Sequence, residues 1–107
     1  MARTLLHVRM EPLASGPVLT EIGFADPHGR ASADATQTVL PATPQALERV
    51  LLRLHGSSLL LAGTPQERSA AVSAIGDVLM RLAAFVHQWR DEIEAVEVNP
   101  LAILVGG

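Results

Sequence analysis

The chain has no lysine and no cysteine, and its aromatic residues are only two Phe and one Trp among 107 residues. Without lysine there is no P-loop ammonium and no Schiff-base amine, which closes several enzyme mechanisms to this chain alone. Without cysteine there are no disulfides, no thiolate nucleophile and no Cys-type zinc site. All eight basic residues are Arg, set against eleven acids for a net charge of -3. That balance gives no electrostatic footprint for nucleic acid or for an anionic membrane surface. Long apolar runs are missing too: Leu59 to Ala62 and Leu101 to Val105 fall far short of the roughly 18 to 20 residues that span a bilayer. The opening MARTLLHVRMEP is broken by His7 and Arg9 and is too short and too polar for a signal peptide. A cytoplasmic protein without a membrane-spanning helix is expected. What is present is a packed-domain composition, 49% hydrophobic and 18% charged. Its length allows one domain over 1–107 and would be cramped for a complete multi-substrate enzyme.

Alternation predicts a strand over Thr4 to Met10, with Leu6, Val8 and Met10 on one face and Leu5, His7 and Arg9 on the other. A second strand is predicted over Val18 to Phe24, separating Val18, Thr20, Ile22 and Phe24 from Leu19, Glu21 and Gly23. Ala31 to Leu40 alternates more weakly and reads as a hairpin partner after the turn signal ADPHG. Thr43-Pro44 marks a helix start, and Leu47, Val50, Leu51 and Leu54 form its apolar stripe, with an end near His55 and Gly56 as the C-terminal cap. Thr64 and Glu67 form a capping box for a second, longer helix with Val72, Ile75, Leu79, Leu82, Val86 and Trp89 on its apolar face and Asp77 and Arg81 as an i, i+4 pair outside. A last strand is expected from about Glu94, interrupted or bent at Pro100. The fold class is therefore α+β in two layers, a mainly antiparallel sheet packed by two helices, in the order β-β-(β)-α-α-β.

Chemistry concentrates in the last strand, where a period of two puts Ala95, Glu97 and Asn99 on one face and Val96 and Val98 on the other. A carboxylate and a carboxamide two residues apart offer oxygen ligands to Mg²⁺, which takes one or two carboxylates plus substrate phosphates. The same residues also read as the solvated face of an edge strand that Asn-Pro ends, and spacing leaves both readings open. His7, His28, His55 and His87 are too dispersed for a zinc site, and Ser15, Ser57 and Ser58 lack the context of a nucleophile elbow. Asp26 and His28 read as turn chemistry rather than a dyad, and Trp89 as a core or interface anchor rather than a stacking platform.

The stretch from Leu51 to Val105, and above all AVEVNPL at Ala95 to Leu101, resembles the end of the ATP-grasp region of ADP-forming acyl-CoA synthetases and, more distantly, the succinyl-CoA synthetase β subunit. The family strand reads roughly E-[LI]-[DEN]-[IV]-N-P-L and is matched at Glu97, Val98, Asn99, Pro100 and Leu101, with Ala95 at its first acidic position. Upstream, DATQTVLPATPQALERVLLRL and VLTEIGFADPHG are similar to further family segments, the latter through Gly23, Asp26, Pro27 and Gly29. The resemblance implies ATP or ADP and Mg²⁺ as cofactors, Asn99 as a Mg²⁺ ligand and Glu97 as the acid beside it. It further implies a ligase in which ATP phosphorylates a histidine elsewhere and the phosphoryl group activates a carboxylate for thioester formation with coenzyme A. The chain departs from the family where GRASADA replaces a glycine-rich stretch, and it stops at Gly107 before the strand that carries a second metal-binding acid. The expectation is a domain fragment that needs the ligase's remaining lobe and is inactive alone. LAILV, expected to lack a partner strand, favours the fragment, because an unpaired apolar edge is a liability in an independent protein; the alternative is a non-catalytic interaction domain that uses the long helix and this free C-terminal strand as a homodimer or partner surface.

Overall fold

In the computed structural model, which describes residues 2–25, 31–53 and 64–105, the chain runs β1 (Ala2–Pro12), β2 (Val18–Ala25), β3 (Ala31–Leu40), α1 (Pro44–Leu52), α2 (Pro65–Gln88) and β4 (Val96–Val105). The four strands make one sheet in the order β3-β2-β1-β4, with every neighbouring pair antiparallel. This is the α+β architecture the hydrophobic periods predict, and the weakly patterned third strand takes its place on β2 from Val18↔Leu40 onward.

The inward stripe of the sheet is the one that alternation selects. Leu6, Val8 and Met10 of β1 and Val18 and Ile22 of β2 are all buried, and with Leu40 they meet Leu47, Val50 and Leu51 of α1 and Val72, Ile75, Leu79 and Val86 of α2. Thr20 is the buried polar member among the described residues, and its hydroxyl donates to the Val18 carbonyl at 3.3 Å. Both helices start as their caps require: the Thr43 hydroxyl accepts from the Ala46 amide and the Thr64 hydroxyl from the Glu67 amide, each at 3.1 Å, with proline next in sequence. By length and composition α2 could cross a bilayer, although no contiguous apolar run in the sequence is that long. Core helices pass the same test, and here one stripe of α2 is buried against the sheet.

Several boundaries and faces differ from the sequence reading. β1 begins earlier and ends later than Thr4 to Met10, because its ladder runs the full length of both neighbours. Helix α1 ends at Leu52, with the Arg53 amide turning back to the Val50 carbonyl; the expected end at His55 and cap at Gly56 lie outside the described residues. Trp89 is not in the core: it is 44% exposed, because at φ -104 and ψ 22 it caps the helix, and the three-residue step from Val86 no longer carries it onto the buried face. Asp77 and Arg81 stand exposed on α2 without an ion pair between them. The last strand starts at Val96, since a turn held by the Glu92 and Ile93 amides on the Trp89 carbonyl occupies the preceding residues.

The largest correction concerns LAILV. It does have a partner strand: Leu101 pairs with Leu6 and the ladder continues to Val105 opposite Ala2. Between Val98↔Val8 and Leu101↔Leu6 the register shifts, so Asn99 and Pro100 together face His7 alone. This is a β-bulge, the place where a proline without a donor N–H is tolerated inside a strand. The extra residue also resets the side-chain alternation. Val96 and Val98 pair with buried Met10 and Val8, and the bulge returns Leu101 to that same side, where unbroken alternation would have turned it outward.

Candidate functional site

Both helices pack on one side of the sheet, and the other side carries its polar residues. Cross-strand register arranges them in rows: Gln37, Glu21, Arg9 and Glu97 lie side by side across β3, β2, β1 and β4, while Ala35, Gly23 and His7 form the next row, ending at the bulge. Arg9 donates to Glu97 at 3.3 Å and also to Glu11, two residues along its own strand. The hydrogen bond to Glu11 foremost raises the Arg9 pKa above its ordinary value, against an opposing effect of desolvation, and the nearby charges of Glu11 and Glu97 and the hydrogen bond to Glu97 add to the rise. Arg9 is therefore a fixed cation.

The two residues singled out on the last strand both emerge on this open side. The Glu97 side chain is 58% exposed and held by Arg9, and Asn99 is exposed two residues further on, at the first bulge position. Bulges re-aim side chains at the edge of a sheet, and β4 is an edge strand. One carboxylate and one carboxamide suit Mg²⁺, which keeps several waters and leans on ligand phosphates rather than on a full protein cage. Among the described residues no group of three or more His, Asp or Glu side chains converges in a way that could hold a metal ion.

Sequence reasoning missed the grouping around Arg9. Alternation placed Arg9 and Glu21 on the polar faces of their own strands, but the contact between Arg9 and Glu97 joins residues 88 apart in sequence and is visible only once the strand order is known. Asp26 and His28, like His55, Ser57 and Ser58, lie outside the described residues. His87 stands apart from the open face: it lies in the last turn of α2, where its Nδ1 is 2.9 Å from the Gly16 carbonyl beside a groove of about 330 Å³. That groove is lined mainly by Pro17, Val18, Leu40, Met80 and Ala84, with Ser15 and His87 among its polar members and no Arg, Asp or Glu in its lining.

No family model matches the chain, and no curated protein matches it. Solved structures do. The dinucleotide-forming acetyl-coenzyme A synthetase 1 of Ca. Korarchaeum cryptofilum, in complex with coenzyme A and Mg-AMPPCP, superimposes with a TM-score of 0.66 at 20% identity over 91% of this chain and 45% of that one. The same enzyme in complex with coenzyme A, Ca-AMPCP and HgCl⁺ gives a TM-score of 0.64 at 19% identity, covering 91% and 42%. A Pyrococcus horikoshii protein gives 0.66 at 16% identity, covering 91% and 40%. The chain thus has the fold of part of an acetyl-CoA synthetase, the architecture that the resemblance implied, and spans less than half the length of the chains it matches.

Proposed function

We propose that this chain is part of an ADP-forming acyl-CoA ligase of the ATP-grasp kind, acting in the cytoplasm, and that the open face of its sheet forms one wall of the nucleotide and Mg²⁺ site. The observation that carries the reading is the emergence of Glu97 and Asn99 side by side on that face, at the bulge of β4. The shared fold supports it: the similar synthetase was solved with Mg-AMPPCP and coenzyme A, its phosphohistidine segment pointing towards the nucleotide binding site. Asn99 offers a carboxamide oxygen and Glu97 a carboxylate oxygen, and a bound Mg²⁺ would neutralise nucleotide phosphate charge there. The sheet holds both side chains on a rigid ladder, so positioning and electrostatics are this chain's contribution to phosphoryl transfer. The second lobe and the acyl and coenzyme A sites belong to the rest of such a ligase, so no turnover is expected from these residues alone.

Calorimetric titration with Mg-ADP tests the assignment. Binding that requires Mg²⁺ and weakens about tenfold in Asn99→Ala, the scale of one lost charge-assisted contact, is expected. Equal binding by the two proteins would refute the role of Asn99. A second reading, a protein-interaction domain, draws on edge strand β4 and on Phe85 and Trp89, 47% and 44% exposed on α2. Sedimentation velocity separates the two: a tight homodimer with no nucleotide affinity would favour interaction, and a nucleotide-binding monomer the ligase reading.

A further inference from the structure

We infer that Arg9 is a built-in counter-ion of the Glu97–Asn99 pair, one that competes with a divalent cation for the Glu97 carboxylate and so sets how tightly that face takes up the cation. The inference rests on the reading of Glu97 and Asn99 as cation-holding residues. Arg9 stands in register between Glu21 on β2 and Glu97 on β4, with Glu11 beside it on β1, and its guanidinium pairs with Glu11 and Glu97. It bonds the two through different nitrogens: the second terminal nitrogen holds Glu11 while the first reaches Glu97 at 3.3 Å, the longer of the two contacts.

The geometry makes the Glu97 contact the replaceable one. A divalent cation taking Glu97 as ligand draws the carboxylate away from the first terminal nitrogen, while the hydrogen bond to Glu11 keeps the guanidinium on the sheet. The N–H groups so released remain beside the cation, where they can donate to the anionic groups of a phosphate-bearing ligand. Arg9 thereby lowers the affinity for a bare cation and favours a cation that arrives with its anion. Its side chain is 37% exposed and takes no part in the core, so substitutions there leave the fold in place.

The test is a titration of the 107-residue chain with Mn²⁺ alone, with bound metal followed by loss of the free-ion EPR signal. Wild type, Arg9→Gln, Arg9→Lys and the combination of Arg9→Gln with Asn99→Ala are compared. Removing a unit positive charge next to Glu97 is expected to tighten Mn²⁺ binding about fivefold at low ionic strength, a gain that shrinks as salt is added. Arg9→Lys, which keeps the charge, should stay close to wild type, whereas a purely structural role would make Lys and Gln equivalent. Adding Asn99→Ala should abolish the gain. Asn99-dependent binding that is unchanged or weakened in Arg9→Gln would overturn the counter-ion role and leave the cation site standing. If neither wild type nor Arg9→Gln binds Mn²⁺ in an Asn99-dependent way, the cation site itself falls, and the inference with it.

Discussion

Gly16 shows how one residue fixes the geometry of a hairpin. It sits at φ +112 in the turn that joins β1 to β2, where its amide donates to the Leu13 carbonyl at 3.0 Å and its own carbonyl meets His87. Side chains are disfavoured at that φ whatever space is available, and space is available: a Cβ would come no nearer than 4.0 Å to the His87 ring. Gly16→Ala should therefore cost about 1 to 2 kcal/mol through backbone strain alone, read from the urea midpoint at an unchanged slope. A neutral result would show that the turn relaxes. At this scale the sequence was informative where local chemistry fixes local structure, as at the helix caps Thr43 and Thr64, and where alternation fixes the side of a strand, as in placing Glu97 on the polar side, where it lies opposite Arg9. It was silent where a side chain's meaning comes from a distant partner: nothing around Arg9 announces Glu97, and nothing around Trp89 shows that the helix stops one residue before it.

At the scale of elements, helix α2 carries the apolar stripe that closes the core, yet it has a glycine at position 76, facing α1. A Cβ there would lie 3.4 Å from Leu47 Cδ2, an ordinary contact with the end of a flexible side chain. Mid-helix glycine costs up to about 1 kcal/mol relative to alanine, so Gly76→Ala should raise the thermal midpoint. A fall instead would mean that the two helices cannot accommodate one methyl group. Strand β4 illustrates the limit of pattern reading for an element. Alternation alone sends Leu101 to the same side as Glu97 and Asn99, and with no further strand following it the run LAILV was expected to lack a partner. Strand β1, far away in sequence, supplies that partner, and one inserted residue at Asn99-Pro100 turns Leu101 back to the core side opposite Leu6; a bulge has no period by which a sequence would reveal it.

For the molecule as a whole, the consequence of the strand order β3-β2-β1-β4 is a division of labour between the two sides of one sheet. One side is sealed by α1 and α2, and it holds the buried residues that were legible in the hydrophobic periods. The other side has no layer among the described residues, and the row Gln37, Glu21, Arg9 and Glu97 crosses it. That row was not legible, because it is assembled from four strands separated by loops and two helices. The central claim is that this open face, rather than the apolar groove beside His87, meets a metal-bound nucleotide. A nitrogen-15 NMR titration with Mg-ADP tests it most directly. Saturable shifts are expected at the amides of His7, Arg9, Glu21, Glu97 and Asn99, with those of Met80, Ala84 and His87 unmoved. Shifts confined to Met80, Ala84 and His87, or none at millimolar nucleotide, would contradict it.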